Sequence, residues 1–215
     1  MHPRPRAGVR LLRLAPLVAV VALLAGCAPA GATWQAASPP LPAATAPALG
    51  ARDTAYDPPR AAPPLRLTDG DGRPFDLASL RGSPVLVYFG YTHCPDVCPT
   101  TLSDIRDALR LVAVPVRVVF VTIDPARDDV AAMTAYVDAY GSGFVGLTGT
   151  AAEIRAAADA WGVSYRRLDS TSAAGYAMAH TTETYLVDAT GLLRHHLFFG
   201  ASPELIAERL REVGG

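Results

Sequence analysis

The stretch "PVLVYFGYTHCPDVCPTTLSDI", residues 84–105, runs from an unbroken apolar segment through a cysteine pair into a helix-forming sequence. An apolar run rich in Val, Tyr and Phe, with no polar alternation, is the pattern of a strand buried on both faces. Two of the three cysteines in the chain, Cys94 and Cys98, follow it with three residues between them. Such a pair closes a disulfide if its Cα atoms come within about 4.4–6.8 Å, holds a metal ion, or acts as a peroxide- or disulfide-reducing thiol. The spacing alone leaves these open. Pro99 biases Cys98 away from the α region, which predicts Cys98 as the N-cap of the following helix and Cys94 in the loop above it. Helix-end amides and the dipole lower a thiol pKa, and the thiolate is both the nucleophilic and the metal-binding form.

Further elements follow on either side. Residues 65–77 alternate around "DGDG", a hairpin signature. Residues 116–124, "VRVVFVTID", read as a second buried strand, residues 128–140 as a helix, and residues 151–162 as another helix, with Gly162 placed to end it. Residues 184–188 and 192–200 flank the turn "ATG" as a closing hairpin, and a last helix starts with Ser202 as N-cap and Pro203 at its first position. Strands alternating with helices imply parallel pairing, and the closing hairpin adds an antiparallel edge. This order resembles the thioredoxin fold, which implies an α/β domain with a central mixed sheet flanked by helices, preceded here by an N-terminal hairpin. In that fold a cysteine motif sits where the first central strand enters its helix, the junction that residues 84–105 occupy.

The ends constrain the compartment. Arg4, Arg6, Arg10 and Arg13 lead into "LAPLVAVVALLAG" and then Cys27. A basic segment, an apolar segment and small residues form an export signal, and the apolar run is shorter than the about 20 residues of a spanning helix. "LAGC" resembles a bacterial lipobox, which implies lipid attachment at Cys27. The alternative is an uncleaved signal anchor. Either places the protein outside the cytoplasm, anchored to the bacterial membrane. The expected organisation is residues 1–26 as signal peptide, residues 27–63 as the lipid-attachment cysteine with a disordered Ala/Pro-rich tether, and residues 64–215 as the folded domain. Removing residues 1–26, which hold four of the 19 basic residues and none of the 20 acidic ones, takes the formal charge from −1 to −5. A chain of that charge lacks the basic face that nucleic acid calls for.

A third ligand would distinguish a metal site from a disulfide. Of five histidines, His2 lies in the signal, His93 adjoins Cys94, and His195 and His196 alternate along a strand and face opposite ways. His180 lies in the loop before residues 184–188, where the thioredoxin fold normally presents a cis-proline to the cysteines. "HT" stands where "PT" is expected, so the group facing the cysteines is an imidazole.

"GYTHCPDVCPT", "VTIDPARDD" and "AHTTETYLVDATG", in this order, resemble the SCO/SenC family of copper chaperones for cytochrome c oxidase, from about Leu65 to the C-terminus. The resemblance implies copper, as Cu(I), Cu(II) or both, held by Cys94, Cys98 and His180. It also implies assistance in assembling the dinuclear copper centre of oxidase subunit II. Another periplasmic copper chaperone and a thiol reductase are further expected partners. Two thiolates and an imidazole suit copper on softness alone. This chain has Ala179 where the family often has an acidic residue, and Asp129 where the family's Asp-Pro-x-Arg-Asp-Thr loop ends in Thr.

Competing readings use the same residues. Cys94 and Cys98 form a structural disulfide, or a redox pair in a membrane-tethered thiol-disulfide reductase that keeps acceptor cysteines reduced, a role that does not need His180. A thiol peroxidase lacks its Thr-x-x-Cys pattern, because Tyr91 stands three before Cys94. A zinc enzyme lacks an obvious general base. For Asp96 the expected role is a solvated carboxylate at the helix start rather than a metal ligand, for Met178 packing rather than ligation, and for Asp124 and Arg127 fixing their loop. Tyr88 and Phe89 read as ordinary strand residues.

Overall fold

The structure, a computed structural model, describes residues 52–169 and 175–214. In chain order the strands are β1 (Asp53–Ala61), β2 (Arg66–Thr68), β3 (Pro74–Asp76), β4 (Val85–Gly90), β5 (Arg117–Thr122), β6 (Phe144–Leu147), β7 (Tyr165–Leu168), β8 (Ala177–His180), β9 (Thr184–Val187) and β10 (Leu192–Leu197). The helices are α1 (Val97–Leu109), α2 (Val130–Asp138), α3 (Ala151–Trp161) and α4 (Pro203–Gly214), with a 3-10 turn at Leu77–Leu80.

Every residue of β4 is buried, as is β5 from Val118 to Thr122. Two such runs pair in parallel, Val85 opposite Arg117 through Gly90 opposite Thr122, with α1 as the crossover. β6 extends the parallel side, and β9, β10 and β1 add antiparallel strands to give the order β1-β10-β9-β4-β5-β6. α1 turns Cys98, Leu102, Ile105 and Ala108 inward at helical spacing and packs on α4, which buries Ile206, Ala207, Leu210 and Val213. α3 is delimited as expected. Thr150 and Glu153 form a capping box, and Gly162 ends the helix at φ 72°, where a glycine carries no Cβ penalty. The architecture is the expected thioredoxin-like one, including the β2/β3 hairpin.

Three expectations are corrected. The disordered tether was expected to run to Pro63, yet residues 53–61 form strand β1, paired with β10. Pro58 and Pro59 fall in the interval between Ala55 and Arg60 where the ladder register breaks, so they interrupt no regular pair on this edge strand. Side chains hold β1 in place. Asp53 accepts from Arg209 Nε at 2.6 Å and lies 3.2 Å from His195 Nδ1, while Tyr56 hydrogen-bonds His196. The two histidines do face opposite ways. Second, His180 is not in a loop. It is the last residue of β8, which pairs with β7 in a separate two-stranded sheet that the sequence pattern did not announce. Third, α1 begins at Val97 with Asp96 as N-cap, so Cys98 lies inside its first turn. A proline is tolerated there because first-turn amides have no intrahelical acceptor to lose. Residues 1–51, with the signal, Cys27 and most of the tether, lie outside the described residues. No helix among the described residues is long and apolar enough to cross a membrane.

Asp53 is 12% exposed, is paired with Arg209 and lies beside His195. Asp53→Ala is expected to destabilise by about 2–3 kcal/mol, the scale of stripping the partner from a mostly buried charge. Asp71→Ala, which breaks an exposed pair with Arg73, should cost about 0–1 kcal/mol. Urea midpoints with an unchanged m-value would check both.

Candidate metal centre

The site lies at the carboxyl end of β4, where the chain leaves the sheet for α1. Cys98 is fully buried there. Gly90, the last residue of β4, leaves space for its sulfur. A Cβ at Gly90 would stand 2.9 Å from Cys98 Sγ and 2.7 Å from Phe120 Cε2. The Tyr88 hydroxyl donates to Cys98 Sγ at 3.6 Å. Burial pushes the Tyr88 pKa up, so it stays a neutral donor.

Cys94 sits half-buried in the loop above, and its sulfur accepts the Cys98 backbone N–H at 3.3 Å. This is one of the amides that the first turn of α1 leaves without an intrahelical partner. Both cysteines are free thiols. They differ in acidity. The adjoining Cys98 side chain and the Asp96 and Cys98 amides hold Cys94 down at about 3 against its partial burial. The neighbouring Cys94 charge and burial push Cys98 up. Of the two, Cys94 is the readier to carry negative charge.

His180 brings the third donor. Its Nδ1 lies 2.7 Å from the Thr181 carbonyl. A carbonyl only accepts, so the proton is on Nδ1 and Nε2 carries a lone pair. That Nε2 lies 3.6 Å from Cys98 Sγ, and the ring meets Tyr88 and Tyr91 edgewise at centroid distances of 6.3 and 6.0 Å. The ligand atoms of Cys94, Cys98 and His180 all lie within 4.8 Å of one another, the one such cluster of three or more His, Cys, Asp or Glu among the described residues. Two sulfurs and a deprotonated imidazole nitrogen converging from three elements can take up a soft cation.

The other sequence candidates divide. Asp96 is exposed and makes no side-chain cap bond, and Met178 packs against the core. Asp129 fills the N-cap of α2, accepting from the Ala132 amide at 2.8 Å, a task that Thr in the family pattern performs equally. Asp128 is fully buried and accepts from the Thr92 amide, the Thr92 hydroxyl and the Thr122 hydroxyl, so it ties the cysteine loop to β5. Tyr88 was missed as a site residue because nothing in an apolar run shows that its hydroxyl ends on a sulfur.

The fold and the Cys-x-x-x-Cys/His cluster define a thioredoxin-like domain with three donors placed to hold a metal ion. The SCO1/SenC family model matches residues 53–214, and the chain belongs to that family. It is 34% identical over 151 residues to an SCO2-like protein of Rickettsia felis, covering 68% of this chain and 74% of that protein. The structure of Bradyrhizobium japonicum ScoI with copper bound superposes with a TM-score of 0.64 at 34% identity, covering 71% of this chain and 99% of the other. BsSco, described as a member of the Sco family of cytochrome c oxidase assembly proteins, shares the fold with a TM-score of 0.57 at 20% identity.

Two outcomes test the geometry. Gly90→Ala should cost about 1–3 kcal/mol by overpacking, whereas Gly143→Ala, whose new methyl meets nothing closer than 3.5 Å, should cost far less in the same denaturant titration. In the reduced, metal-free protein Cys94 has a lowered pKa, so its thiolate persists above about 3 and is lost only as the pH falls through that value. Its alkylation rate should stay flat from pH 8 to 5, where an ordinary thiol of pKa about 8.5 slows about tenfold per unit. Cys98→Ala removes the largest lowering contact and should move the profile upward.

Proposed function

We propose that this protein is a copper chaperone that carries one copper ion on Cys94, Cys98 and His180 and assists assembly of the dinuclear copper centre of cytochrome c oxidase subunit II. The observation that carries the reading is the convergence of those three donors within 4.8 Å in a chain of this family. Thiolate and imidazole donors favour copper, Cu(I) above all. Cys94 and His180 are only partly buried, which leaves the ion open to ligands from an acceptor, as transfer by exchange requires. Cargo would come from another periplasmic copper chaperone, with a thiol reductase keeping the pair reduced. The working place is outside the cytoplasm, with lipid on Cys27 tethering the domain to the membrane. Cys27→Ser with the signal otherwise intact should then release the protein to the soluble fraction.

A second reading is supported by the unequal thiols. A Cys94 thiolate attacks an acceptor disulfide, displacing one acceptor thiolate and forming a mixed disulfide. Cys98 then loses its proton and attacks Cys94, which releases the second acceptor thiolate and leaves a Cys94–Cys98 disulfide. Two electrons pass to the acceptor, and the chain ends oxidised.

Copper stoichiometry separates the readings. The reduced full chain is expected to hold one copper. Cys98→Ala and His180→Ala should each weaken it by more than the about 10–100-fold typical of losing an outer partner. A wild type that retains no copper, or a His180→Ala variant that still supports oxidase assembly in cells, would move the function to the reductase.

A further inference from the structure

The loop between β5 and α2 touches both halves of the metal centre. Asp128 holds Thr92 of the cysteine loop. Asp124 and Arg127, four and one residues earlier, reach instead to the segment that carries His180. The Asp124 carboxylate accepts Arg127 Nε on one oxygen at 2.5 Å and the Tyr176 hydroxyl on the other at 2.7 Å. Arg127 Nη1 donates to the Tyr176 carbonyl at 3.1 Å, and its guanidinium lies 3.7 Å from the centroid of the Tyr176 ring. Arg167 of β7 stacks on the same ring at 3.8 Å. The Asp124 and Arg127 side chains are only 5% and 18% exposed, so these contacts are weakly screened.

Tyr176 directly precedes β8, and His180 ends it. The β7/β8 pair is not hydrogen-bonded into the main sheet. A two-stranded hairpin by itself is marginally stable in water, so its pose depends on side-chain anchors. Besides the Tyr176 contacts, the pair is tied to the body by the Met178 amide donating to the Tyr91 hydroxyl at 3.3 Å, by Met178 packing on the core and by Arg155 of α3 stacking on Tyr165 at 3.6 Å. Bonds between Ser164 and Thr181 join only the two legs of the hairpin.

We propose that Arg127, clasped to Asp124 and Tyr176, is a positioning residue that holds His180 against the two thiols. Opening the clasp converts a three-donor site into a two-sulfur one. The inference rests on the copper-site reading above and extends it to a residue that touches none of the ligand atoms.

The test uses the full chain with Arg127→Ala, Tyr176→Leu and Arg127→Lys. Only the first removes a charge, so a purely electrostatic influence on the thiols would leave Tyr176→Leu unaffected and would be restored by Lys. In the reduced, Cu(I)-loaded protein, X-ray absorption of the wild type should show two sulfurs and one imidazole. Arg127→Ala and Tyr176→Leu should both keep one copper per chain, lose the imidazole scattering, and bind about tenfold more weakly against a Cu(I) chelator. Arg127→Lys, which keeps the charge without the planar fork, should fall between. In the metal-free protein the Met178 amide should exchange with solvent about tenfold faster in both disruptive variants, with β4 amides unchanged. Retained imidazole scattering and unchanged Met178 exchange would overturn the clasp. A wild type without copper would overturn the function reading, and the exchange rates would then decide the clasp alone.

Discussion

The Cys98 sulfur is packed where the end of β4 leaves room only for a glycine, and the properties of the site follow from that confinement. β4 is buried along its whole length between β5 and β9, so neither Gly90 nor Tyr88 can yield to make space. A thiol held there is poorly solvated and keeps its proton. Beside it, Cys94 has its pKa held down, with the Cys98 amide of the first turn of α1 donating to its sulfur. The asymmetry comes from the contact between the two sulfurs first, and from their unequal burial and the amides of the helix start second.

The same asymmetry suits a carrier. In the proposed function, the buried sulfur and the imidazole would fix the ion, while the less buried Cys94 would offer it to an acceptor. A metal leaving a fully enclosed site would have to expose bare ligands before new ones could bind. Here the outer sulfur is only half-buried, and the His180 ring is held by tyrosine edges and the Thr181 carbonyl rather than by other charges. Dithiol chemistry would exploit the same layout, with the outer sulfur attacking and the inner one resolving.

Much of this was legible in residue order. The run from Pro84 to Ile105 announced a buried strand, a cysteine loop and a helix, and the strands at residues 116–124, 184–188 and 192–200 announced β5, β9 and β10, while β6 went unread. Motif likeness pointed to His180. What escaped were features made by distant partners. β1 reads as coil because its composition is polar and proline-rich, yet Asp53 and Tyr56 meet groups some 140 residues or more away. β7 and β8 are four residues each, with half-buried or exposed faces and no periodicity to mark them. Cys98 was expected at the helix cap because a following proline disfavours α geometry in general, a preference that the first turn of a helix overrides.

The sequence by itself determined the strand-cysteine-helix junction, the order of the four helices and the donor types, because hydrophobic runs, helix stops and side-chain chemistry are local properties. Only the tertiary structure decided that Cys98 is the inner sulfur, with its pKa pushed up, and Cys94 the outer one, with its pKa held down. It also decided that His180 presents Nε2, and that Asp124, Arg127 and Asp128 frame both sides of the site. Burial, tautomer and clasp are set by groups that meet only when β4, β5 and β8 converge, and no window of residues along the chain contains all three.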